Sequence, residues 1–235
     1  MLPHVAMLLA ALAAVDGRAE TGAAAVAAQQ RPLQISQVYR PPLRGAPKTR
    51  TGGATRGPGT AAAVDLEVLA PDHTGRTLKA QPVLYWYLSR PVDLPVEVTL
   101  VDEESLATVL EKTLPAPDRG GIQRLSLADH GVRLQPGVEY SWHVALVADP
   151  DQRSQDITAS ATILYQAPSA ALQRALDNAN PASLPTVLAA EGIWYDAIDV
   201  LSRQISAAPG NAGLHRQRAA LLEQVELPGV AAADR

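Results

Sequence analysis

The stretch Leu134-Gln-Pro-Gly-Val-Glu-Tyr140, continued by Ser141-Trp-His-Val-Ala-Leu-Val147, decides the fold. Pro136-Gly137 predicts a turn, and from Tyr140 onward Tyr140, Trp142, Val144 and Leu146 fall on alternate positions. A turn feeding an alternating strand that opens on tyrosine reads as the tyrosine corner of an immunoglobulin or fibronectin type III sandwich. Working outward, short alternating runs recur at Val64–Leu69, Val83–Leu88, Val96–Val101, Thr108–Leu114, Ile122–Leu127 and Ile157–Tyr165. Turn residues separate them, at Pro71-Asp72, Arg90-Pro91, Pro115 to Gly121 and Asp149-Pro150-Asp151. About seven short strands at this spacing predict a β-sandwich over residues 61–166.

Alternation also assigns faces. Leu84, Trp86 and Leu88 share one side of the second strand, and Tyr140 and Trp142 lie with Val144 and Leu146 on one side of the sixth. Trp86, Tyr140 and Trp142 are therefore expected to be structural. Phenylalanine is absent, so three Trp and six Tyr supply all the aromatic packing. Tyr85, Tyr87, Ser141 and His143 are expected on the opposite sides.

After Pro168 the period becomes helical. Ser169–Asn178, Pro181–Ala190, Ile193–Ser206 and Ala212–Val225 read as helices over residues 167–226, with 227–235 expected as a disordered tail. In the third helix Trp194, Ala197, Ile198 and Leu201 fall at i, i+3, i+4 and i+7, on one side. Gly192, Tyr195, Ala197 and Pro209 resemble a single tetratricopeptide unit. One such unit cannot bury its own face, so it must pack on the sandwich, on a neighbouring helix or on another protein. The last option makes Trp194 and Tyr195 a candidate binding face.

Residues 1–60 differ. Val5–Val15 is an apolar run of signal-peptide length, followed by small residues at Gly17 and Ala19 and again at Ala25 and Ala27. This predicts a signal peptide over 1–19, with cleavage as late as 27, and hence an exported protein, periplasmic or extracellular, with no membrane span after cleavage. Residues 20–60 read as an Ala/Pro/Gly-rich linker. Between Glu20 and Asp65 no acidic residue occurs, while Arg31, Arg40, Arg44, Lys48, Arg50 and Arg56 are all positive.

That basic segment reads Tyr39-Arg-Pro-Pro-Leu-Arg-Gly-Ala-Pro-Lys-Thr-Arg-Thr-Gly-Gly-Ala-Thr-Arg-Gly57. With Gly192-Ile-Trp-Tyr-Asp196 it resembles the bacterial family designated domain of unknown function 928. The resemblance rests on a PPxRGAP element, a GGxTRG element, a β-rich middle and a GIWYDA helix, in order from about Tyr39 to Leu222; Ala54 stands where a third glycine is common. It implies export and supplies no reaction.

Glycines beside Arg and Lys can cradle phosphate, sulfate or carboxylate, which makes Arg44, Lys48, Arg50 and Arg56 a candidate site for an anionic ligand or acidic partner. The alternatives are packing along the sandwich, with these cations paired to acids such as Asp102, Glu103 and Glu104, and a solvated linker. No Gly-Lys-Ser/Thr follows, so the segment is not a P-loop. A net charge of −4 and a lone Tyr39 argue against nucleic acid.

The absence of cysteine removes thiol catalysis and disulfides. Among His4, His73, His130, His143 and His215 no metal-binding spacing occurs, and no serine sits in a GxSxG elbow. Asp196 and Asp199, at i and i+3, suit one cation or a solvated face. No catalytic residue, metal or cofactor is expected. The expected role is a non-enzymatic exported adaptor whose partner is another envelope protein. The alternatives are a carbohydrate- or peptidoglycan-binding protein using Tyr85, Tyr87 and His143, and a small-molecule sensor.

Overall fold

The computed structural model describes residues 38–42 and 64–235. Within them the chain runs β1 (Leu66–Val68), β2 (Gly75–Thr77), β3 (Val83–Leu88), β4 (Val96–Asp102), β5 (Thr108–Leu114), β6 (Gly121–Ser126), β7 (Glu139–Leu146) and β8 (Ile157–Tyr165). Five helices follow: α1 (Ala170–Asn178), α2 (Leu184–Ala190), α3 (Trp194–Ala207), α4 (Ala212–Gln224) and α5 (Pro228–Ala233). One sheet has the order β1-β3-β6 and the other β2-β8-β7-β4-β5. The architecture is a β-sandwich followed by a helical layer.

The inner faces are those that alternation assigns. Leu84, Trp86 and Leu88 on β3, and Tyr140, Trp142, Val144 and Leu146 on β7, are all buried. Removing a large aromatic side chain from water contributes roughly 4–5 kcal/mol, so these rings dominate a core that lacks phenylalanine. The Tyr140 hydroxyl accepts a 3.0 Å hydrogen bond from the Gln135 backbone N–H, five residues upstream. Gly137, at φ +82°, makes the preceding turn and donates its N–H to the Tyr165 carbonyl. This is the corner that the opening stretch predicts.

The single strand expected at Val64–Leu69 is only the first of a pair. After the Pro71-Asp72 turn the chain changes sheets, and β2 runs parallel to the end of β8, with Gly75 opposite Ile163. A strand of three residues is too short for a period of two to register.

The helices begin where local chemistry allows. Ser169 Oγ accepts the Leu172 N–H at the start of α1, and Asn211 Oδ1 accepts the Gly213 N–H at the start of α4. Along α3 the residues Trp194 to Ser202 are buried without interruption, so the helix is covered on all sides and not along one stripe.

The residues expected as a disordered tail over 227–235 instead form α5. Leu227, Val230 and Ala231 are buried, Pro228 sits in the first turn, and Asp234 is held by Arg218. Among the described residues, no helix is long and apolar enough to cross a membrane.

Candidate functional site

The start of the first family stretch, Tyr39 and Arg40, meets the second around Gly192 and Trp194. Tyr39 donates its backbone N–H to Gln224 Oε1 at 2.8 Å, and the Arg40 N–H reaches the Ala189 carbonyl at 3.1 Å. The Tyr39 ring packs edge-on against Trp194 with centroids 4.9 Å apart. Its hydroxyl shares a 2.8 Å hydrogen bond with His73 Nε2, and His73 Nδ1 lies 3.1 Å from Asp72 Oδ1. Burial holds the Tyr39 phenol well above its ordinary range. Gly192 makes this approach possible: its φ is +73°, and a Cβ there would stand 2.6 Å from the Arg40 carbonyl oxygen.

The next residues fasten α3 to the sandwich. Trp194 Nε1 donates to the Leu69 carbonyl at 2.8 Å. The Tyr195 hydroxyl accepts from Trp142 Nε1 at 2.8 Å and donates to the Thr162 carbonyl at 3.0 Å. Trp194 and Tyr195 are 0% and 2% exposed, so the face offered to a partner in the sequence reading is occupied inside the molecule.

Asp196 and Asp199 are neither a solvated face nor a cation pair. Asp196 Oδ2 accepts from Thr77 Oγ1 at 2.7 Å and from the Leu78 N–H at 3.0 Å. Burial raises its pKa, while those two hydrogen bonds and the Lys79 charge act the other way. Asp199 takes the Lys79 ammonium at 2.6 Å and the Tyr85 hydroxyl at 3.0 Å. Burial first, then the Asp199 charge and hydrogen bond, push the Tyr85 phenol up to about 12, with Arg124 pulling it down. Tyr85, expected on an outer face, is 5% exposed because α3 covers it.

Beside this covered region a groove of about 520 Å³ runs between the outer side of β3 and β6 and the helices α3 to α5. Tyr85, Tyr87, Arg119, Arg124, Arg203 and Arg218 line it. Arg218 is buried and grips Asp234 through Nε at 2.7 Å and Nη2 at 2.5 Å, with Nη1 donating to Ser202 Oγ at 2.9 Å. Arg203 lies 3.2 Å from Asp199. Arg119 and Arg124 are exposed, and among the described residues neither is ion-paired to a carboxylate. Four guanidiniums thus face a lining that holds one carboxylate, Asp234. In a chain of net charge −4 this is a local reversal of sign, chemically suited to carboxylate, sulfate or phosphate.

The sequence reading did not find this groove. The sequence places Arg119 just before an alternating strand and Arg124 within it, and nothing in the chain marks α3 and α5 as the opposite wall. The basic residues that it did single out, Arg44, Lys48, Arg50 and Arg56, lie outside the described residues. The polar-aromatic patch of Tyr85, Tyr87 and His143 does not come together. The tyrosines stand on β3 in one sheet and His143 on β7 in the other, facing away from the core in each. Asp102 serves the β4–β5 turn, its Oδ1 accepting the Glu104 and Ser105 N–H groups at 2.9 Å.

The family model described as Domain of Unknown Function (DUF928) matches residues 51–235. The chain belongs to that family, whose description names no reaction. No curated protein matches the chain. Among solved structures, the crystal structure of a multi-domain immunophilin from Arabidopsis thaliana aligns with 81% of this chain and 98% of its own at 9% identity. Its TM-score of 0.17 is too low to carry an argument about fold or function.

Proposed function

We propose that the protein is a non-enzymatic interaction module exported to the bacterial envelope, where it holds an anionic partner, another envelope protein, in the arginine groove. The observation that carries this reading is the exposed pair Arg119 and Arg124, facing a groove whose lining offers them no carboxylate of its own within ion-pairing distance. Export is supported by the apolar run Val5–Val15, and the chain carries four further cations, Arg44, Lys48, Arg50 and Arg56, outside the described residues. The absence of turnover is supported by how the polar groups are used. Ser202 Oγ accepts from Arg218, Tyr85 donates to Asp199, and Asp196 is engaged by Thr77 and Leu78. Although Tyr85 and Ser202 line the groove, no histidine meets the Ser202 hydroxyl among these contacts, and burial pushes the Tyr85 phenol up to about 12, away from the nucleophilic phenolate.

The test is crosslinking and pull-down from the native envelope with the mature protein, its Arg119/Arg124→Ala variant and its Arg44/Lys48/Arg50/Arg56→Ala variant. The expected result is a partner captured by the unmodified protein and lost with the first variant. Equal capture by all three would overturn the anionic reading.

A second reading is a glycan-binding protein, favoured by Tyr85 and Tyr87 lining the same groove beside Arg124. Retention on peptidoglycan or polysaccharide columns supports it, and clean flow-through removes it.

A further inference from the structure

β6 is the outermost strand of its sheet, paired with β3 on one side only. Its residues enter the groove in an informative pattern. Ile122 and Arg124 stand opposite Tyr87 and Tyr85 and share their outward face, whereas Gly121 and Gln123 belong to the other alternate set. Both sets line the groove, which happens when a strand turns its edge, and not one face, toward a cavity. An edge presents backbone N–H and C=O groups in a row, ready to pair with another extended chain. At the start of that edge Gly121 has φ +96° and open space where a Cβ would be, so no side chain covers the backbone there.

Charge selects among extended chains. Arg119 stands two residues before β6 and Arg124 lies within it, and Arg203 faces them from α3. Native edges are commonly guarded by charge, and a guarding charge of one sign becomes an attraction for a partner of the other.

We infer that the groove seats an extended acidic polypeptide segment, which adds as a strand to the edge of β6 while its carboxylates meet Arg119 and Arg124. This rests on the anionic-partner reading and gives that partner a form. Alternate side chains of the added strand point toward α3 and α5, where Ile205 lines the groove, and the intervening ones lie toward solvent. An acidic chain with small apolar residues at every second position fits both the charge and the period.

The test measures binding of the full protein to a fluorescent peptide alternating glutamate and valine over the six-residue length of β6, with short flanks. Three comparison probes accompany it: the same peptide N-methylated at every second residue in either register, an oligogalacturonate of similar charge, and inorganic phosphate. The expected result is saturable binding of the parent peptide. It weakens by about tenfold for each of Arg119→Ala and Arg124→Ala, because each removes a charge-assisted hydrogen bond. One N-methylated register abolishes binding and the other does not. Both arginines are exposed, so the unfolding midpoint of either variant stays with the parent, which separates lost binding from lost folding.

Equal binding of both methylated registers, or of oligogalacturonate or phosphate, would overturn strand addition while leaving an anion-binding groove. No binding of the peptide, together with a partner captured from the envelope through Arg119 and Arg124, would overturn the peptide form and leave the interaction module standing.

Discussion

From Trp194 to Asp199, α3 sends its polar atoms into the molecule: to Leu69, Trp142, Thr162, Thr77, Leu78, Lys79 and Tyr85. From Ser202 to Ser206 the same helix walls a groove whose far bank carries Arg119 and Arg124, exposed and without an ion pair among the described residues. The contrast separates two uses of charged and aromatic side chains on one element. Buried polar groups must be matched, because an unmatched one costs about 1–3 kcal/mol, so the first half is a lock whose parts fit only each other. Exposed guanidiniums carry no such penalty and can wait for a partner. The family residues Gly192 to Asp196, with Tyr39 and Arg40, therefore belong to the lock, and they describe how the helical layer is held to the sandwich.

Three substitutions bear on this comparison. Trp194→Ala should have the largest effect. It empties a fully buried site, leaves the Leu69 carbonyl without its donor and removes the ring that seats Tyr39. A loss of about 3–5 kcal/mol in denaturant unfolding is expected. A loss within that of an ordinary surface change would break the assignment of this half of α3 as a lock.

Gly192→Ala comes next. It places a Cβ at a left-handed φ of +73° and 2.6 Å from the Arg40 carbonyl oxygen, for an expected cost of about 1–3 kcal/mol. A chain beginning after residue 42 should tolerate the same change better, since that carbonyl is then absent. Equal cost in both chains would reduce the effect to backbone strain alone.

Asp196→Asn should have the smallest effect and acts through pH. Burial raises the Asp196 pKa in the folded state, so the folded chain holds the proton more tightly than the unfolded one. Its favourable contribution is complete below the ordinary carboxylate range and is lost as pH rises through the raised value. Asparagine keeps an acceptor for Thr77 and Leu78 and does not titrate. Stability within about 1 kcal/mol of the parent at neutral pH is expected, with a flatter profile across the acidic range. An unchanged slope by urea titration at several pH values would show that Asp196 is not the group responsible.

Much of the sandwich was written in local pattern. The alternation through Tyr140 to Leu146 set which side chains face inward, and a strand needs nothing beyond its own period to do so. The Pro136-Gly137 turn and Tyr140 lie within a few residues of each other, so the corner that joins them is local as well. Where the signal was short or distant, the reading stopped. β2 has three residues, and α5 is a short Ala-rich piece stabilised by burial of Leu227 and Val230, not by an apolar stripe of its own. The helical period placed Trp194 and Leu201 on one side but carried no sign that Asp196 and Asp199 would be buried too. Their partners, Thr77 and Tyr85, stand 119 and 114 residues away in the chain.

The sequence by itself determined the sandwich, the change to helices after Pro168, the family and the basic character of residues 31–56, because each is a matter of period, turn chemistry or charge along a short stretch. The tertiary structure alone decided that Trp194 and Tyr195 face inward and that Arg119, Arg124 and Arg203 share one groove. Those facts depend on which surfaces of strand and helix meet, and that is set by the combined burial of the whole core and not by any segment of it.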